Sequence, residues 1–169
     1  KKVRLEVAKG KFEDVDVRKI VNQVHNADID VMANYMYGLP GDDKETIKKT
    51  FELSIELCTS GWNTYPAMAL PGSLLYKQGI ENGIEMPKSY SGYSFHAYDT
   101  ICLPTEKLKA WEILKLRDDA FVDYHSNPKF LDKIKNRFGN KAVGNIKEMS
   151  KIKLTRKIVE ENLNASNDN

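Results

Sequence analysis

Hydrophobic positions change their period several times along the 169-residue chain, and each change marks an element. Residues 1–9 read as an amphipathic helix ended by Gly10. Asp14 or Asp16 then caps a second helix, whose Val17, Ile20, Val21 and Val24 fall at helical spacing. After Asn26-Ala-Asp28 the pattern becomes a near-continuous apolar run, Ile29 to Tyr37, which suits a strand covered on both faces. Gly38-Leu-Pro-Gly41 stops that run abruptly. Asp42 or Asp43 starts the next helix, with Glu45 and Thr46 in its first turn. Ile47, Phe51 and Ile55 mark its buried face, joined by Thr50, Leu53 and Leu57 on an adjoining stripe. Thr59-Ser-Gly61 closes this helix, and Trp62 to Leu70 reads as a second strand, irregular because Pro66 cannot donate to a ladder. Pro71-Gly-Ser73 turns the chain into a short helix over Leu74 to Gly79.

Two strand–turn–helix units in series predict an α/β fold with parallel strands and a right-handed crossover. From Asn82 to Pro104 the period is lost, while Tyr90, Tyr93, Phe95, His96 and Tyr98 crowd one segment. Such aromatic content predicts an ordered loop laid across the domain. Thr105, alone or with Glu106, caps a long helix through Ser126, and Asn127-Pro128 breaks it. Phe130, Leu131, Ile134 and Phe138 predict a further helix ended at Gly139, with Ala142, Val143, Ile146 and Met149 extending the pattern. Ile152, Leu154, Ile158 and Val159 form a basic amphipathic tail, and 162–169 is polar and expected to fray. The chain thus divides into 1–80, an α/β part, 81–104, an aromatic irregular loop, and 105–169, a helical extension.

Composition narrows the class. Hydrophobic residues at 41% and charged residues at 30% describe a globular protein with mass for one domain. A net charge of +2 calls for neither nucleic acid nor an anionic membrane. No apolar run approaches the roughly 20 residues that span a bilayer, and the expected location is the cytoplasm. The charged start, Lys1-Lys-Val-Arg-Leu-Glu6, reads as the interior of a helix, as if the chain were a fragment. Cys58, placed mid-helix, and Cys102, placed in a loop, fit two reduced, mostly buried thiols. Neither sits in a CxxC or beside histidine, so no metal site is expected from this chain alone.

Chemistry concentrates at the turns. Gly38 and Gly41 let backbone approach a ligand, Pro40 fixes the turn, and exposed amides there would bind carboxylate, phosphate or ribose oxygen. A plain strand-to-helix turn is the competing reading. His96, among Tyr93, Phe95, Tyr98 and Asp99, is a weaker candidate for a base. His25 and His125 read as structural, and Arg117-Asp118-Asp119 with Asp123 as a solvated helix face. The tail Lys147–Lys157 either packs on the domain through Ile152 and Leu154 or meets an acidic partner.

Asn34-Tyr-Met-Tyr-Gly-Leu-Pro-Gly-Asp42 with Glu45-Thr46, followed by Pro71-Gly-Ser-Leu-Leu-Tyr76, resembles the second half of a radical S-adenosylmethionine (SAM) domain. The likeness is to the cobalamin-binding group, the Fe–S oxidoreductase type, and covers roughly residues 1–80. The resemblance implies the last two strands of a (β/α)6 partial barrel, with SAM and a [4Fe–4S] cluster, and with cobalamin in that group, in the full-length parent. The family's adenine-contacting strand motif falls on Asn34, Met36, Gly38 and Gly41, where Asn34 replaces a Gly and Gly41 a Glu. Ala67 and Met68 would lie beside the adenine on the next strand. The cluster's CxxxCxxC loop is absent from this sequence, so the expectation is a SAM-side wall and substrate cap that binds no cofactor by itself. Its implied partners are the N-terminal half of the barrel, or a covering protein, and a small-molecule substrate. Two other classes fit the residues: a non-catalytic interaction module built from a degenerate barrel half, and a TIM-like acid–base enzyme using Asp42, Asp43 and His96.

Overall fold

The computed structural model describes residues 15–167. The expected helix over 1–9 and the very end of the tail lie outside them. Six helices and two strands follow in the order α1 Val17–Asn26, β1 Met32–Tyr37, α2 Lys44–Leu57, β2 Gly61–Pro66, α3 Leu74–Glu81, α4 Ala110–Ser126, α5 Pro128–Lys151 and α6 Lys157–Asn167. The fold is mixed α/β and mostly helical, with one two-stranded parallel sheet. Both strands are shorter than the apolar runs suggested. Ile29 is exposed, and beyond Pro66 the ladder gives way to loop, so the outer parts of each run do not pair.

Side-chain alternation gives the sheet two unlike faces. Ala33 pairs with Trp62, Tyr35 with Thr64 and Tyr37 with Pro66, and this face is covered. Tyr37, Trp62 and Thr64 are almost fully buried against a core that includes Ile47, Leu108, Ile113, Leu114 and Tyr124. Trp62 stacks on Tyr124 with ring centroids 5.0 Å apart. The opposite face carries Met32, Asn34 and Met36 from β1 and Asn63 and Tyr65 from β2. Met32 and Met36 remain 62% and 48% exposed, so the strands are covered on one face, not two.

Local chemistry sets the helix ends. The Asp16 carboxylate accepts from the Lys19 amide and caps α1. At α2 the cap is Asp43, which accepts from the Thr46 amide while the Asp43 amide donates to Thr46 Oγ1, each 2.9 Å, a reciprocal capping box. Cys58 is not mid-helix: it terminates α2 in the left-handed region, φ 46°. Its carbonyl accepts from Lys133 Nζ at 2.7 Å, and Lys129 Nζ reaches the Glu56 carbonyl at 2.8 Å, so two α5 lysines satisfy the C-terminal carbonyls of α2.

Thr105 does not cap the long helix. Its hydroxyl donates to the Asp42 carbonyl (2.9 Å) and accepts from the Lys107 and Leu108 amides, holding a turn before the helix. Burial of Leu108 draws that turn into the core, and α4 begins only at Ala110. Gly139 interrupts α5 at φ 83°, as its position in the pattern foretold, but helix resumes beyond it. The polar tail is helical through Asn167. Ile152 does not anchor it, being 71% exposed; the buried residue there is Arg156.

Arg117 and Asp118 are likewise no solvated face. Arg117 is buried, donates from Nε to the Thr64 carbonyl (3.0 Å), and lies over the Phe95 and Phe121 rings. Asp118 accepts from Arg117 and, through both oxygens, from Arg156 at 2.8 and 3.0 Å. Two buried guanidiniums sharing one carboxylate tie α4, α6 and the aromatic loop together. Such a pair is costly to break by removing one partner.

Candidate functional site

Six residues, Gly38–Asp43, separate β1 from α2, and the chain must reverse within them. Gly38 and Gly41 make this possible with φ of 78° and 88°, a region that costs other L-residues strain. The turn is organised from within. Asp42 is buried, and the Gly38 and Leu39 amides both donate to its Oδ2 at 3.1 Å, while Thr46 Oγ1 donates to its Oδ1 at 2.8 Å. The amides expected to face a ligand anion are therefore already held by a carboxylate of the same turn. Asp43, beside it, is held down to about 2 by its ion pair with Lys107 (2.8 Å) and by the Thr46 amide.

The two glycines separate in role. A Cβ on Gly38 would lie 2.9 Å from the Ile113 side chain, so this glycine lets the turn press onto α4. Around Gly41 there is open space. With Pro40 it lines a groove of about 730 Å³ whose other walls include Gln78 and Asn82, at either side of the α3 C-terminus, and Leu103–Glu106 of the following loop.

The remaining residues of the expected adenine wall are divided. Asn34 and Met36 stand on the open sheet face, where the Asn63 side-chain amide donates to Asn34 Oδ1 at 3.3 Å. Ala67 offers no free surface: it is 1% exposed, its amide donates to the Tyr37 carbonyl (2.8 Å), and its carbonyl accepts from Leu103 (2.9 Å). Met68 is half-buried against the core. His96 is exposed on a different groove, between α4, the end of α5 and α6, with partial desolvation of its ring and the nearby Arg117 and Arg156 lowering its pKa. It is not brought to the Gly38–Gly41 turn.

The two histidines read as structural sit in packed surroundings. His125 is buried among Trp62, Phe121 and Phe130, with Nδ1 2.8 Å from the Phe121 carbonyl, and burial lowers its pKa. His25 accepts from Lys133 at 3.1 Å, and desolvation with that neighbouring ammonium lowers its pKa. Both cysteines are buried free thiols, Cys102 pushed up to about 12 by desolvation, which keeps it protonated and unreactive. Among the described residues no group of three or more His, Cys, Asp or Glu is placed to hold a metal ion.

The sequence named Asp42 as a helix start or acid–base residue and Arg117 as part of a solvated face, but not their observed roles, holding the turn and closing the edge of the sheet. An Asp directly after Gly-Leu-Pro-Gly with Thr four positions on is a local signal for side-chain-to-backbone bonding. Nothing local announces Arg117, whose partner Thr64 lies 53 positions away.

The sheet edges are also unlike. The Gly61 amide donates to the Val31 carbonyl, so alternate groups of β2 point inward to β1 and the Thr64 carbonyl points outward. Arg117 occupies that outward carbonyl, and Phe95 covers Tyr65 edge-on at 5.0 Å. The outer edge of β1, with the backbone groups of Met32, Asn34 and Met36, pairs with no strand among the described residues. No protein-family model matches the chain, and no curated protein matches it.

Proposed function

We propose that residues 1–80 are the C-terminal part of a radical SAM (β/α)6 barrel, with 105–169 as its helical extension. The observation that carries this reading is the asymmetry of the sheet. Helices cover one face, while on the other Met32, Asn34 and Met36 of β1 are exposed and Asn63 and Tyr65 of β2 are half-buried, as a barrel's lumen face allows. The edge of β2 is closed by Arg117, as a last strand needs, and the edge of β1 is open to a preceding strand. A two-stranded sheet with one bare face is marginal alone, which favours completion by more chain or by a partner.

In this reading Asn34 and Met36 face bound SAM, the first as an amide donor and acceptor and the second as an apolar contact. Gly41 and Pro40 form the rim at the strand ends. Gly38, Ala67 and Met68 act as supports, since their backbone or side chains are already engaged within the chain. A [4Fe–4S] cluster held by the N-terminal part of the parent would supply the electron that cleaves SAM. The helical extension would help cap the substrate, and in the group the chain resembles the cobalamin-binding segment lies N-terminal to the barrel.

The test is the reading frame upstream of Lys1 and the protein it encodes. Expected are a CxxxCxxC motif, an iron–sulfur absorption spectrum after anaerobic reconstitution, and reductive cleavage of SAM to 5′-deoxyadenosine and methionine. A frame without the motif sinks the proposal. The same open face and edge favour a second reading, a non-catalytic module whose sheet a partner protein completes. A stable complex formed through the β1 edge, with no SAM affinity, would select it. The acid–base reading finds no support, because Asp42 spends both oxygens inside its turn and His96 lies on another groove.

A further inference from the structure

The groove that His96 borders shares no residue with the Gly41 groove and is independent of the barrel reading. It encloses about 630 Å³ between α4, the end of α5, the 152–156 connection and α6, a size that suits a small ligand. Phe121, Val122, Leu154, Val159 and Leu163 give it an apolar wall. Its charges do not cancel. Four cations, Lys115, Arg117, Lys153 and Arg156, face three acids: Asp118 holds Arg117 and Arg156, Asp119 holds Lys115 (2.6 Å), and Glu160 accepts from the neutral Tyr98 hydroxyl (2.9 Å). Among the cations Lys153 alone has no acidic partner among the described residues, and the His96 ring and Thr155 hydroxyl, also on the lining, make no hydrogen bond among them. An apolar trough with one unspent ammonium and unpaired donors on its lining complements an anion with an apolar body. A cation would meet a lining with one net positive charge.

We propose that this groove binds an amphipathic carboxylate, its hydrocarbon part on Phe121, Val159 and Leu163 and its carboxylate on Lys153. The experiment is an NMR titration of the uniformly ¹⁵N-labelled chain with decanoate below its micelle concentration, with acetate and decyltrimethylammonium as parallel arms. Decanoate should shift the amides of 121, 122, 154, 159 and 163 saturably, acetate should leave them unmoved, and the cation should bind more weakly. Lys153 is exposed, so Lys153→Glu will fold, and it should weaken decanoate about five- to tenfold by replacing an attraction with a repulsion. Leu163→Glu, on the opposite rim, should weaken it further while leaving the circular dichroism spectrum unchanged. The proposal is overturned by shifts that scatter or fail to saturate, by equal binding of the cation, or by Lys153→Glu binding as wild type. Self-association that protects the groove in sedimentation runs would overturn it too, assigning the face to a second copy of the chain.

Discussion

Replacing Asp42 with alanine removes the acceptor around which the strand-to-helix turn is built. Two amides lose their partner, the buried Gly38 N–H and the half-buried Leu39 N–H, each 3.1 Å from Oδ2 in the intact turn. Thr46 Oγ1 loses Asp42 but keeps the Asp43 carbonyl at 3.0 Å, so the hydroxyl contributes little to the loss. An unsatisfied buried donor costs about 1–3 kcal/mol, and Leu39 regains part of that from water, so the two amides together cost about 2–4 kcal/mol. For a chain of this length each kcal/mol moves the melting temperature by about 2–4 °C, giving a fall of about 5–15 °C. Urea unfolding followed by circular dichroism reads the difference directly as a shift in midpoint at constant slope. Asp43→Ala is the internal comparison: it removes an N-cap on the same turn, a loss of about 1 kcal/mol. Asp42→Asn retains one carbonyl oxygen for the amides and should fall between the two. An Asp42→Ala loss no greater than that of Asp43→Ala would refute the claim that the turn's amides are consumed internally. It would return them to the pool of ligand-binding groups.

Three further outcomes follow from the same geometry. Gly38→Ala should cost about 2–4 kcal/mol, combining left-handed strain with the close approach to Ile113, whereas Gly41→Ala should cost only the strain, about 1–2 kcal/mol; equal losses in denaturant titration would contradict the separate roles. Arg156→Ala should cost about 3–5 kcal/mol by leaving Asp118 short of a partner, and replacing Asp118 and Arg156 together by apolar residues should recover part of it in a double-mutant cycle. His25 and His125 have pKa values lowered chiefly by burial, so the unfolded chain takes up protons first as pH falls through the ordinary 6.5. Stability should therefore be full above that value and decline as pH falls toward about 5, more shallowly in His125→Phe; a urea midpoint flat between about pH 7.5 and 5.5 would show that these rings are not held neutral.

Local order was well written in the sequence. Helical spacing of Val17, Ile20, Val21 and Val24 placed α1, Asp42 or Asp43 ahead of Glu45-Thr46 placed the start of α2, and Asn127-Pro128 placed the α4–α5 break, because each depends on neighbours a few positions away. What depends on distant chain was not legible. Apolar runs at Ile29–Tyr37 and Trp62–Leu70 overstated strand length, since hydrophobicity cannot tell a paired residue from one that is exposed or packed beyond the ladder. Arg117 and Asp118 read as a solvated face, and Arg156 was not singled out within the basic tail, because charged residues are rarely buried unless paired, and these pair between elements. At the candidate site, Gly38 and Gly41 were identified as special backbone, but only the packing of Ile113 and the bonding of Asp42 separate the supporting glycine from the exposed one.

The bonds that hold the sheet have an order in time as well as in space. The Thr64 carbonyl waits 53 positions for Arg117, the Thr59 carbonyl 65 for the Tyr124 hydroxyl, and the Cys58 carbonyl 75 for Lys133. At synthesis rates of roughly 5–20 residues per second, the strands leave the ribosome roughly 3–15 seconds before the groups that complete them. During that interval the aromatic face of Tyr35, Tyr37 and Trp62 has α2 but not α4 or α5 to lie against, and the outer edge of β2 is as bare as that of β1. Nascent chains paused before Arg117 should accordingly be the form most readily captured by chaperones, and release should coincide with the emergence of α4 and α5.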